Sequence, residues 1–142
     1  MTSAGQTFER EQIVHWGDSD PAGILFGPRS FEYGLVLIEQ LFMQLFGVGF
    51  DGFQRRHKVI LPWVHLGCDF RLPAATGATL TMRLSVERLG KSSVTYRIDG
   101  LGAGGEAHFR LNMVSATVAM DTGRPVPLVA EQRAALGPYV AR

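Results

Sequence analysis

The feature that most constrains this chain is a single long apolar helix pattern followed almost entirely by strand patterns. Phe31, Leu35, Ile38, Phe42 and Leu45 recur at spacings of three and four, the mark of one helix face turned toward a core. Val36, Leu37, Leu41 and Phe46 widen the stripe, which predicts burial on more than one side. Gly27-Pro28 makes a helix start, because proline at the first helical position loses no needed hydrogen bond, and Gly47 makes a stop. The helix is expected to run roughly 19 residues and about 28 Å.

The rest of the chain mostly has period two. Thr79 to Arg88 sets Leu80, Met82, Leu84 and Val86 against Thr79, Thr81, Arg83, Ser85 and Glu87. Ser92 to Leu101 repeats the alternation through Val94, Tyr96 and Ile98, and Glu106 to Met120 reads as a long last strand. Val59 to Phe70 reads as extended, with Pro62 marking a bend or a sheet edge. Ahead of the helix, Phe8, Val14 and Trp16 share one face of a first strand. Asp51 caps a short helical turn ending near His57, and Pro127 to Leu136 makes a terminal helix. Consecutive strands joined by short turns are antiparallel. The predicted class is α+β: one long helix on an antiparallel sheet of about five strands, in a single domain over 1–142.

Composition excludes several functions. Hydrophobic content of 46% and charged content of 19% describe an ordinary globule. A net charge of +1 gives no basic face for nucleic acid. Phe31 to Phe50 is interrupted by Glu32, Glu39, Gln40 and Gln44, so no membrane span is expected. Met1 to Thr7 lacks the basic-then-apolar layout of a signal peptide, and the lone Cys68 leaves no internal disulfide; both fit a cytoplasmic protein. Cys68, on an apolar strand, reads as a structural thiol. His15, His57, His65 and His108 lack compact ligand spacing, so no metal is expected. Gly100 to Gly105 matches a dinucleotide fingerprint in letters only, since it precedes a strand and reads as a hairpin turn.

Trp16-Gly17-Asp18-Ser19-Asp20-Pro21-Ala22-Gly23-Ile24 carries the chemistry. It puts carboxylates a few residues before a helix start, where backbone N–H groups are free and the field is positive. A base or nucleophile beside such a site is suited to attack a carbonyl. A calcium loop is excluded, because its fifth position is Ala22 and its twelfth is Arg29. Pro21 holds the preceding Asp20 in an extended conformation with a fixed direction. Asp18 is expected to shape the turn by accepting loop N–H bonds. Gly23 permits a positive φ or a close backbone approach.

Over Gly17 to Ile24 the chain resembles the 4-hydroxybenzoyl-CoA thioesterase family of hotdog-fold proteins, whose pattern is aromatic-Gly-Asp-x-Asp-Pro-x-Gly-Ile/His before the central helix. The resemblance implies a hotdog fold, in which the sheet wraps the helix, and hydrolysis of an acyl-CoA, an aromatic one such as 4-hydroxybenzoyl-CoA included. It makes Asp20 the catalytic carboxylate, with the general-base and nucleophilic roles both open. The family's oxyanion donor, a backbone N–H at the helix start, falls at Gly27, where relatives often carry an aromatic residue. Coenzyme A enters as part of the substrate, and no separate cofactor is implied.

The resemblance also places coenzyme A phosphates at the turn Arg88-Leu89-Gly90-Lys91-Ser92-Ser93, where Lys91 matches a basic position and Arg88 offers a second cation. Trp16, Phe26, Trp63 and Phe70 are candidate acyl-pocket aromatics, and Glu32 and Glu39 on the helix rank below Asp20. Family sheets pair edge to edge, which implies a homodimer or homotetramer with sites at the interface. The rival reading is a hotdog protein that binds acyl-CoA without hydrolysing it. A dehydratase would need a histidine near the helix, and none lies between Trp16 and Gly49.

Overall fold

A computed structural model describes residues 5–141. Met1–Ala4, part of the stretch read for a signal peptide, lie outside the described residues. Strand β1 is Phe8–Ile13, helix α1 Arg29–Phe46, helix α2 Phe50–His57, and strand β2 Val59–Ile60. Strands β3 (Trp63–Phe70), β4 (Thr79–Leu89), β5 (Ser93–Leu101), β6 (Ala107–Ala116) and β7 (Val118–Ala119) follow, then helix α3, Ala130–Leu136.

The main sheet has five strands in the order β1-β4-β5-β6-β3, with every neighbouring pair antiparallel. The chain leaves one edge at β1, crosses a face of the sheet as α1, and enters the other edge as β3. It then returns to build the β4-β5-β6 meander. Period-two sequence dictates the inner face: Leu80, Met82, Leu84, Val94, Tyr96, Ile98, Phe109, Leu111 and Met113 are all buried there.

Helix α1 covers that face with Tyr33, Gly34, Leu37, Ile38, Leu41, Phe42 and Phe46 buried. The buried stripe is therefore turned from the one the spacing predicts. Phe31, Leu35 and Leu45 lie on its half-buried flank, and Val36, expected inside, is half exposed. Gly34 accounts for the turn: a Cβ there would lie 2.8 Å from Leu111 Cδ1 and 2.9 Å from Met113 Sδ, so side chains of the sheet fill the space over this residue. No single helix among the described residues is long and apolar enough to cross a membrane.

Four expectations shift: the end of the first strand, the continuity of the last, the Asp51 cap, and the terminal helix, which begins at Ala130 and not at Pro127. The first strand stops at Ile13, and Trp16–Asp18 is a 3-10 turn, so Trp16 is 86% exposed and shares no core face with Phe8. Val59 to Phe70 breaks where Pro62 marks the expected bend, and the missing proline N–H ends β2 before the edge strand β3 begins. Glu106 to Met120 breaks at the buried Thr117, and β7 pairs with β2 in a separate two-stranded sheet. Asp51 does not cap α2. It sits inside the first turn, 3.2 Å from Arg55, while Glu39 Oε1 accepts the Phe50 N–H at 3.3 Å.

Candidate active site

The Asp-Pro-x-Gly segment is a small hairpin, and each residue type in it has a local physical reason. Ser19 and Leu25 form an antiparallel bridge. Between them the Asp20 N–H donates to Ile24 O at 2.9 Å and the Gly23 N–H to Asp20 O at 3.0 Å. Pro21 supplies the fixed φ of the second turn position, and Gly23 takes the left-handed conformation, φ 78°, that closes a three-residue hairpin loop. Asp20 Oδ1 accepts the Ala22 N–H at 2.8 Å. The other oxygen, Oδ2, has no protein partner among the described residues.

Outside bonds hold the loop in place. Thr76 donates its N–H to Gly23 O at 2.9 Å and its hydroxyl to Ser19 Oγ at 2.6 Å. The Leu25 N–H reaches Ala74 O at 2.8 Å.

The two aspartates divide their work differently from the expectation. Asp18's carboxylate takes no loop N–H; its Oδ2 accepts the Tyr33 hydroxyl at 2.7 Å, and Arg29 Nε stands 4.0 Å from Oδ1. Asp18 thereby ties the loop to the first turns of α1, and it is Asp20 that accepts a loop N–H. The reason is tertiary, since Tyr33 arrives on the helix 15 residues later.

Burial, helped by the Asp18 hydrogen bond, pushes the Tyr33 phenol up to about 12. A phenol near 10 when unfolded and near 12 when folded stabilises the fold fully below pH ~10, and the contribution disappears as pH rises through ~12. Burial also raises Tyr96, so the comparison with Tyr33→Phe isolates Tyr33. Urea midpoints at steps from pH 9 to 12 are expected to fall more steeply for wild type than for Tyr33→Phe. Parallel curves would remove Tyr33 from the alkaline slope.

At the helix start, the N–H groups of Phe26, Arg29, Ser30 and Phe31 donate to Asp18, Phe26, Gly27 and Pro28 carbonyls. Pro28 has no N–H. The Gly27 N–H is left without a protein acceptor among the described residues. Ser30, fully buried, donates its hydroxyl to Gly27 O at 2.6 Å and so fixes that peptide. Cys68 Sγ lies 3.9 Å from the same hydroxyl, and burial pushes its thiol up, away from the reactive thiolate.

Asp20 and Gly27 line one cleft of about 370 Å³, together with Leu25, Phe70, Ala74 and Phe109. A carboxylate residue and the helix-start glycine thus border one hollow whose walls are mostly apolar, with Arg71 as a cation in the same lining. Such a pair can deliver water or a carboxylate to a carbonyl and stabilise the developing oxyanion.

Other expected site residues lie elsewhere. Gly23 and Trp16 border a second hollow of about 450 Å³ that Asp20 also lines. Phe26 is half exposed next to the helix start. Trp63, Arg88, Lys91 and Ser92 stand at the opposite end of the sheet, because β4 runs 11 residues from the site end to that turn, about 36 Å at roughly 3.3 Å per residue. Trp63 packs against Phe50 and Tyr96, with centroids 6.0 and 5.9 Å away. The Lys91 turn is braced by Arg133, which donates to Gly90 O at 2.5 Å. One copy of the chain does not bring these residues to Asp20.

Sequence reasoning named Phe70 only among four aromatics and passed over Leu25, Ala74 and Phe109. Leu25 and Phe109 read as ordinary core, and the segment carrying Ala74 has no period at all.

A family model described as the thioesterase superfamily matches residues 23–106, a span that includes Gly23 and Gly27 and begins just after Asp20. A 1,4-dihydroxy-2-naphthoyl-CoA hydrolase of Prochlorococcus marinus (strain MIT 9313) is 32% identical over 89 residues, covering 58% of each chain. The chain therefore aligns with under two thirds of that relative's length. Among solved structures, a thioesterase superfamily protein of Jannaschia sp. CCS1 superposes with TM-score 0.87 at 25% identity, over 99% of this chain and 98% of that one. A 1,4-dihydroxy-2-naphthoyl-CoA thioesterase of Synechocystis gives TM-score 0.85 at 20% identity, over 93% and 96%. The architecture is the hotdog fold.

Proposed function

The chain belongs to the thioesterase superfamily, and on that premise we propose that it hydrolyses an acyl-CoA with an aromatic acyl group. The observation that carries this reading is the shared cleft: Asp20 and Gly27 line one hollow together with Phe70, Phe109 and Arg71. The names of the relatives, hydrolases of a naphthoyl-CoA, support an aryl group.

The thioester carbonyl oxygen sits against the Gly27 N–H, which stabilises the tetrahedral oxyanion by about 3 kcal/mol. Asp20 either takes a proton from the attacking water or attacks the carbonyl itself, giving an anhydride that water then cleaves. In both routes the C–S bond breaks, the thiolate leaves as coenzyme A and takes up a proton, and the acyl group leaves as the free acid. The apolar walls keep competing water from the charge as it develops.

Coenzyme A extends from this cleft toward basic groups such as Lys91 and Arg88, which requires a second copy of the chain. β3 is an open sheet edge with Val64, Leu66 and Phe70 exposed, a surface that favours pairing. Antiparallel pairing of two β3 edges sets the Trp63 end of one copy beside the Phe70 end of the other. Homodimer and homotetramer both contain this contact. Leu66→Lys puts a charge on the edge and is expected to give monomers with at least tenfold lower activity, read by light scattering after size exclusion. Wild-type monomers with full turnover would remove the dimer from the mechanism.

The function is tested by free-thiol release from 4-hydroxybenzoyl-, benzoyl-, butyryl- and hexanoyl-CoA. Aryl thioesters are expected to turn over fastest. Tight acyl-CoA binding without thiol release would turn the reading into that of a binding protein.

A further inference from the structure

We propose that Phe70 selects the acyl group, its ring standing where a side chain on the helix-start residue would otherwise stand. This rests on the hydrolase reading and adds the residue that sets its preference. A Cβ on Gly27 would lie 2.9 Å from Phe70 Cζ, 3.3 Å from Cε1 and 3.5 Å from Cε2. One ring thus occupies the place of a Gly27 side chain, beside an N–H without a protein partner among the described residues. A side chain on Gly27 would have to push the tip of this ring aside.

Phe70 reaches this place from the last position of the edge strand, yet it remains 57% exposed. What points to a binding wall is the ring's place in the lining of the cleft that Asp20 and Gly27 share. Phe109 lies directly across the strand pair from Phe70, fully buried. Its ring occupies the space over Gly100, where a Cβ would lie 2.5 Å from its Cζ. Wall and floor of the cleft are therefore two rings, each seated on a glycine. With a carbonyl oxygen on the Gly27 N–H, the acyl group beyond it runs alongside the Phe70 ring, which favours a planar aromatic group by stacking.

The wall and the glycine form one unit, and that is testable by a mutant cycle. Wild type, Phe70→Ala, Phe70→Leu, Gly27→Ala and the Gly27→Ala/Phe70→Ala double variant are compared on benzoyl-CoA and butyryl-CoA, with melting curves as the folding control. Phe70→Ala is expected to lower the benzoyl-to-butyryl ratio of kcat/KM about tenfold, with Phe70→Leu in between. Gly27→Ala displaces the ring and is expected to lower benzoyl-CoA turnover by about tenfold. The double variant is expected to be no worse than Phe70→Ala alone, because the clash has gone. An unchanged ratio in folded Phe70→Ala, or losses that simply multiply in the double variant, would overturn the assignment of Phe70 alone. A wild type that cleaves neither thioester would overturn the hydrolase reading and this one with it.

Discussion

Asp20→Asn is expected to lower kcat on the best acyl-CoA by about 10² or more, with the fold intact. Asparagine is the informative replacement because the carboxylate has two tasks. Through Oδ1 it accepts the Ala22 N–H and holds the hairpin loop. An asparagine carbonyl oxygen does the same. What Asn removes is the negative charge and the basicity of the oxygen left without a protein partner. Asp20→Ala removes both tasks and is expected to lose melting temperature as well as turnover. If Asn and Ala lower stability equally, the turn bond does not form in solution. If Asn leaves kcat unchanged, Asp20 serves the turn alone. A single turnover in labelled water tests the two routes: label appearing first in the Asp20 carboxylate, and not in the product acid, identifies attack by that group and overturns general-base delivery of water.

Phe42→Ala is expected to cost about 3–5 kcal/mol of stability. Phe42 is fully buried in the middle of the helix's buried face. Its ring makes edge contacts with Phe46, Phe50 and Phe53 at 5.1, 4.5 and 5.2 Å between centroids. Truncation leaves a cavity bounded by rings from two different helices, which cannot close without moving α2 against α1. Against a total of about 5–15 kcal/mol for a domain, this is a large fraction. Phe42→Leu keeps most of the apolar volume and is expected to cost less. Urea unfolding with unchanged slope reads the difference. A loss below ~1 kcal/mol for the alanine variant would show that the cluster does not carry the core.

Much of this was legible in the sequence, for a local reason. Period two in Thr79–Arg88 and Ser92–Leu101 fixes which side chains share a face, and those faces are the buried ones. The glycine and proline around the helix mark its ends, and α1 runs from Arg29 to Phe46 between them. The Asp-Pro-x-Gly turn is legible too, since an Asx acceptor, a fixed φ and a left-handed glycine are properties of four adjacent residues.

The misreadings share one cause. Which flank of α1 faces the sheet depends on where Gly34 lets it approach β6, and that depends on Leu111 and Met113. Asp18 was assigned loop N–H groups because its partner Tyr33 lies on the next element. Pro62 marks its own break, whereas Thr117 does not, because period alone says nothing about where pairing partners end.

The sequence by itself determined a helix-on-sheet layer, its antiparallel order and a carboxylate turn ahead of the helix, since each follows from bonds and periods spanning a few residues. Only the tertiary structure decided which groups meet Asp20. It set Phe70 on Gly27, put Phe109 in the floor, left the Gly27 N–H without a protein partner among the described residues, and carried Lys91 to the far end of the sheet. Those contacts join residues from separate elements, where packing, and no local preference, chooses the neighbour.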